Sequence, residues 1–446
     1  MKKLGLSVVS LITAGSIYYL TLGSAQITQK IKAEVNQEIQ QLQNVGFKVD
    51  KTEEQPTKER FLISIDNPQK IHQYLLTQGE DISIQDLQEL QGMRIKMDLS
   101  YLPSAKDAVA IDLYLDALPK SLMQGVDQND SSLKAINEMI KAGDIMAHVN
   151  INKLLLGFDG YIKDINQTFP QTPKSHLLLN GFTFEGELQD REIKAFQQHL
   201  KGFAYEIQDA LNVLLSNMQS HIEQANNTSH INYTIEALKI SVQGASPFDL
   251  LLQNIQGESK DTLHGELLDN ISHARIDALR IKEPHQESIL EGIEIDSSTK
   301  NLDQMAFKTL QSYNQEGAKG QKNLIDALPT LKKLTQAGLK IDVSKLAIKK
   351  LKIEGESIDG FEIKGALNLD PNFNWTGVEQ DPMRLMALPH IQANVSLSNQ
   401  LFNRMAQTPQ AMMLMLLAQP VDKNGSKIYD IEFTKGHINL NGRPFM

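Results

Sequence analysis

Arg191–Gln224 reads REIKAFQQHLKGFAYEIQDALNVLLSNMQSHIEQ, and how this stretch folds decides the balance of helix and strand in the chain. Its apolar residues Ile193, Phe196, Leu200, Phe203, Ile207, Leu211, Leu214, Met218 and Ile222 recur at spacings of three and four. That is the period of one face of an amphipathic helix. The spacing therefore predicts a long helix, with Gly202 inside it costing about 1 kcal/mol relative to Ala.

Around this stretch the dominant pattern has period two. Ile111, Leu113 and Leu115 alternate with Asp112 and Tyr114, and Ile391, Ala393, Val395 and Leu397 alternate with Gln392, Asn394 and Ser396. Such strands bury one face and wet the other. In Ile231–Val242 the alternation through Ile231, Tyr233 and Ile235 changes phase to Leu238, Ile240 and Val242, as a bulge or bend would require. Arg60–Asp66 reads as a strand stopped by Asn67-Pro68, which opens a short helix through Leu76. Further helices are expected around Leu302–Tyr313 and Asn323–Thr335, and a closing hairpin joins Ile428–Phe433 to His437–Leu440 through Thr434-Lys435-Gly436. The charged run Lys51–Arg60, KTEEQPTKER, lacks apolar periodicity and reads as a loop or hinge.

Two faint echoes suggest duplication. Ala142-Gly143 leads into IMAHVNINKLLLGFDG and Ala337-Gly338 into KIDVSKLAIKKLKIEG, while AIDLYLDALPKSLM and IQANVSLSNQLFNRM both read as strand followed at once by helix. Two related halves, 60–225 and 226–446, would produce them.

At the N-terminus, Met1-Lys2-Lys3 precedes a near-continuous apolar run from Leu4 to Leu22. At about 1.5 Å per residue this run crosses a hydrocarbon core of roughly 30 Å. The lysines put its start on the cytoplasmic side. The expectation is a cytoplasmic stub at 1–3, an uncleaved transmembrane anchor at 4–25, a helical stalk at 26–46 and a periplasmic α+β region at 47–446. Gly23-Ser24-Ala25 before Gln26 offers the alternative of signal cleavage, but the run exceeds a signal peptide's usual apolar length. Ile27, Ile31, Val35, Ile39 and Leu42 give the stalk an apolar seam that can pack on its own domain or pair with a second copy.

Composition narrows the function. The 446 residues are 41% hydrophobic and 22% charged, enough apolar material for a large core. Acidic residues outnumber basic ones, 54 to 44, so a nucleic-acid partner is not expected. Without cysteine there is no disulfide framework or thiolate chemistry.

The sequence indicates no catalytic, cofactor-binding or metal residue. The eleven histidines form no ligand-spaced motif, and His148 reads as a satisfied strand residue. Ser131-x-x-Lys134 and Ser297-x-x-Lys300 match a nucleophile–lysine spacing but lack its companion motifs. Asp370-Pro371-Asn372-Phe373-Asn374 resembles the opening of a calcium loop, yet Trp375 stands where the turn wants Gly, so an Asn/Asp-stabilised turn is the better reading. Ala411–Ala418, AMMLMLLA, is apolar all round. It reads as a core helix or, through Met412, Met413, Met415 and Leu416, as a lining for an apolar ligand, since Met adapts to irregular partners.

Together the anchor with Gly15 and Tyr18-Tyr19, the polar helix after it, Asp326-Ala327-Leu328-Pro329 before KIDVSKLAIKKLKIEG, FEIKGALNLDP, IQANVSLSNQLFNRMA and the closing GHINLNG resemble the YdgA-like family. That is a family of bacterial envelope proteins defined by a domain of unknown function. The resemblance implies a single-pass inner-membrane protein facing the periplasm and carries no catalytic residue.

The expected fold is α+β: an N-terminal transmembrane helix and stalk, then a long curved or split antiparallel sheet with amphipathic helices packed on one face. The expected function is a non-enzymatic envelope protein without cofactor. It would contact the inner membrane through Leu4–Leu22, self-associate through the stalk, and bind a lipid or an envelope protein. A periplasmic hydrolase with a site assembled from distant residues is the alternative.

Overall fold

The computed structural model describes residues 27–77, 82–123, 130–154, 156–170, 173–189, 192–244, 246–317, 324–353, 355–407 and 419–444. The chain divides into two compact units, Met1–His221 and Ile222–Met446.

The first unit opens with α1 (Ile27–Asn44), followed by β1 (Phe47–Glu54), β2 (Lys58–Ile65), α2 (Pro68–Thr77), α3 (Ile84–Glu89), β3 (Arg94–Tyr101) and β4 (Asp107–Ala117). Next come α4 (Lys120–Met123), α5 (Ser131–Ala142), β5 (Met146–Asn152), β6 (Gly157–Ile162), β7 (Ile165–Phe169), β8 (Ser175–Gln189), β9 (Glu192–Ile207) and β10 (Leu211–Ala225), the last running across the boundary. Antiparallel pairing proceeds from β1 to β6 in chain order, β6 and β7 both pair with β8, and β8 pairs with β9. Val35 and Ile39 of α1 are buried in one core with Phe61, Ile111, Val149 and Phe158, and Leu42 packs against it. Val35, Ile39 and Leu42 of the seam offered for pairing with a second copy thus pack into the chain's own core.

The second unit contains β11 (Thr228–Val242), β12 (Phe248–His264), β13 (Leu267–Lys282), β14 (Glu287–Asp303), α6 (Gln304–Gly317), α7 (Leu324–Gln336), β15 (Lys340–Ile353) and β16 (Glu356–Leu369). A 3-10 turn (Pro382–Ala387) then leads to β17 (Pro389–Ser398), α8 (Asn399–Met405), β18 (Val421–Lys423), β19 (Ser426–Thr434), β20 (His437–Leu440) and β21 (Arg443–Pro444). Strands β11 to β17 pair antiparallel in chain order, and β17 pairs with β19. A small core of Ala306, Leu334 and Leu339 seats α6 and α7 beside the strand ends at Leu302, Ile341 and Leu369.

The expected α+β architecture is overturned: the protein is mostly antiparallel sheet, 60% strand against 19% helix. The main cause is Arg191–Gln224, which forms β9 and β10 rather than one helix. A spacing of four fits two pleats of a strand as well as a helical turn. The spacings of three arise where alternation is broken. Leu188 pairs with Ile193 but Glu187 with Ala195, so a bulge brings Ile193 and Phe196 onto the same core. Leu200 and Phe203 flank Lys201, which lies against the left-handed Gly181, φ 63°.

The run Lys51–Arg60 is likewise not a loop, since its ends belong to the paired strands β1 and β2. Its charges are matched by partners on neighbouring strands. Arg60 donates twice to Asp98, at 2.6 and 2.9 Å. Glu59, only 2% exposed, accepts from Tyr101 Oη at 2.5 Å and Lys51 Nζ at 2.9 Å.

No helix among the described residues is long and apolar enough to cross a membrane. The single-pass inner-membrane placement, with the bulk of the chain in the periplasm, is therefore withdrawn. The run Leu4–Leu22 on which it rested lies outside the described residues.

Candidate apolar binding face

Strands β11 to β16 place apolar side chains in register. Ile235, Ile255, Ile276, Ile293, Ile348 and Phe361 form one continuous cross-strand row. Two residues along each strand, hence on the same face, Tyr233, Gly257, Ala274, Ile295, Leu346 and Ile363 form a second. The ring of Tyr233 lies over Gly257, where an added Cβ would meet the ring at 2.2 Å. Ile293 is 8% exposed, whereas Ile295 beside it and Tyr233 on β11 are 38% and 37% exposed.

The reverse face carries the intervening residues, among them Thr234, Gln256, Arg275 and Glu294. Glu294 is bonded to Lys345 and, at 2.5 Å, to Lys349. These two lysines hold its pKa down at about 2. His273 pairs with Asp296 on the same side. The sheet is therefore two-sided, with one apolar and one ionic face.

One end of the apolar face is closed. Leu397 and Val395 continue the rows into β17, and Lys427 and Tyr429 continue them into β19. There α8 packs against β16, β17 and β19. Its Leu401 is buried, and its Phe402 ring lies 5.4 Å from Lys427 Nζ. Tyr429 is buried as well, which pushes its phenol pKa up.

A third apolar row, Leu238, Leu252, Leu279, Leu290, Leu351 and Ile358, runs parallel to the first. Between them lies a crease. Asn254 (φ 50°) and Gly292 (φ 65°) are left-handed there, while pairing keeps one register on both sides. Left-handed backbone disrupts two-residue alternation, so the phase change at Glu236-Ala237 falls opposite Asn254.

This arrangement had a sequence signal. Leu179-Asn180-Gly181-Phe182, Leu215-Ser216-Asn217-Met218, Leu252-Gln253-Asn254-Ile255 and Leu290-Glu291-Gly292-Ile293 recur every 36 to 38 residues, each with its Gly or Asn left-handed. The period is that of one hairpin, the unit of a repeat architecture.

The residues singled out from sequence fall elsewhere. Met412, Met413, Met415 and Leu416 lie outside the described residues. His148 Nδ1 meets Asp112 at 2.6 Å and Nε2 meets Asn150 at 3.0 Å, so both ring nitrogens are engaged and an amide stands where a nucleophilic hydroxyl would be needed. Ser297 and Lys300 are on strand β14, where residues three apart point to opposite faces, and Ser297 Oγ bonds Ser272 Oγ at 2.8 Å. Ser131 and Lys134 occupy the first turn of α5, capped by Asp130. The Asp370 and Asn374 side chains accept from the amides of Asn372 and Thr376, forming the expected turns.

Comparison with known proteins gives no relative: no family model matches the chain, and no curated protein or solved structure matches it either.

Proposed function

We propose that this chain is a non-enzymatic binding protein of the YdgA-like type, and that the apolar face of β11 to β16 receives the acyl chain of a lipid. The observation that carries this reading is the pair of registered apolar rows, with Ile295 and Tyr233 left more than a third exposed. With strands about 4.8 Å apart, six strands span roughly 24 Å. The hydrocarbon depth of one bilayer leaflet is about 15 Å, half of a ~30 Å core, so an extended acyl chain fits across the strands. Each buried methylene contributes about 0.8 kcal/mol. The ionic reverse face keeps such a sheet soluble and directs the ligand to one side.

A fluorescent stearate provides the test. The unaltered protein binds it saturably, Ile295→Gln and Tyr233→Gln abolish the signal, and Arg275→Ala on the reverse face leaves it intact. Binding that is absent, or equal in Ile295→Gln and the parent, overturns the reading.

A further inference from the structure

The first unit carries a second surface of different chemistry, on strands β5, β6, β8, β9 and β10. His148, Tyr161, Thr183 and His199 form one cross-strand row. Two residues along, Asn150, Asp159, Glu185 and Gln197 form the next, on the same face. Tyr161, Thr183 and His199 of the first row and Asp159, Glu185 and Gln197 of the second border an open groove of about 520 Å³, to which Gln219 also contributes.

Tyr161 is 42% exposed. Its ring is backed by the His148 imidazole, with centroids 5.1 Å apart and planes inclined at 31°. His148 is fixed in turn by Asp112 and Asn150. The phenol ring is thus held in place on one side and open to solvent on the other. Planar amides and carboxylates surround it, with Asn150 donating to Asp159 at 3.3 Å.

We propose that this groove binds a neutral oligosaccharide, with Tyr161 as the platform for the apolar face of a sugar ring and Asp159, Glu185, Gln197, His199 and Gln219 as partners for its hydroxyls. An aromatic ring with a polar rim presents both surfaces a sugar needs. The convergent acceptors take hydroxyl protons, and the amides donate back. An acyl chain would leave these polar groups unpaired. The lining carries Asp159 and Glu185 and neither lysine nor arginine, so acidic sugars are repelled. This inference is independent of the lipid reading, which concerns the other unit.

Saturation-transfer NMR and calorimetry on the full chain with cellopentaose and maltopentaose test it, with tetralysine as the contrasting probe. At least one sugar binds saturably, Tyr161→Ala weakens it roughly ten-fold, equivalent to about 1.4 kcal/mol, and Tyr161→Phe retains most of the affinity. Gln197→Ala combined with Gln219→Ala, at two exposed strand positions, gives a second loss should Tyr161→Ala unfold by circular dichroism. No saturable binding of either sugar at millimolar concentration, binding indifferent to these folded variants, or binding of tetralysine alone overturns the proposal.

Discussion

Asn254 donates its side-chain amide to the Asp277 carboxylate at 3.0 Å across the β12–β13 pairing, from a backbone held left-handed at φ 50°. Arg275 Nε donates to the other oxygen of the same carboxylate at 3.0 Å. The crease between two apolar rows is thus pinned by a polar contact as well as by backbone geometry.

Replacing Asn254 separates these contributions. Asn254→Gly keeps the left-handed backbone accessible and loses only an exposed hydrogen bond. Asn254→Val places a β-branched residue in a conformation costing about 1–2 kcal/mol even for ordinary residues. Urea unfolding should show the Val variant less stable by at least that amount, with Gly close to the parent.

Glu59 is a buried charge of the first unit, and its loss should be felt. Glu59→Ala leaves the buried Tyr101 hydroxyl without its acceptor and Lys51 with Glu54 alone, at a cost of about 1–3 kcal/mol. Tyr101→Phe removes one donor and leaves the carboxylate with Lys51, so chemical denaturation should show a smaller loss.

Glu294 makes stability fall in acid. Its pKa is lowered from an ordinary 4.5 to about 2 by Lys345 and Lys349. The stabilisation is present above the ordinary value and is lost as pH falls from about 4.5 toward 2. Glu294→Gln should flatten that part of a denaturation-versus-pH curve for the second unit, and an unchanged slope would refute the assignment.

His148 acts in the opposite sense. The hydrogen bond its ring donates to Asp112 raises its pKa above the ordinary 6.5. Its contribution is therefore complete below 6.5 and is lost as pH rises through the raised folded value. Following the His148 ring protons by NMR should show the titration midpoint falling toward 6.5 in Asp112→Asn.

Much of the local structure was readable from sequence. Asn67-Pro68 starts α2, the alternation at Ile111–Leu115 lies in β4, that at Ile391–Leu397 is β17, and the closing hairpin is β19–β20. The helices expected near Leu302 and Asn323 are α6 and α7. Both Ala-Gly echoes mark a helix ending at a left-handed glycine before a strand, at Gly143 and Gly338. What misled was periodicity at broken strands: a bulge beside Ile193 and the left-handed Gly181 against Lys201 convert two-residue alternation into helix-like spacing. The apolar face was hidden for a related reason. Ile235, Ile255 and Ile276 become neighbours only through pairing between strands, and each strand supplies just one member of each row. Comparing the Leu-x-Gly/Asn tetrapeptides at a hairpin's interval would have exposed it.

The repeated hairpins make the span of the apolar face a matter of copy number. Each hairpin adds two strands, roughly 9.6 Å at 4.8 Å per strand, and leaves the chemistry of the rows unchanged. On the proposed lipid reading, gain or loss of one tetrapeptide-bearing hairpin would regrade the face to longer or shorter acyl chains in fixed steps, without redesigning a single contact.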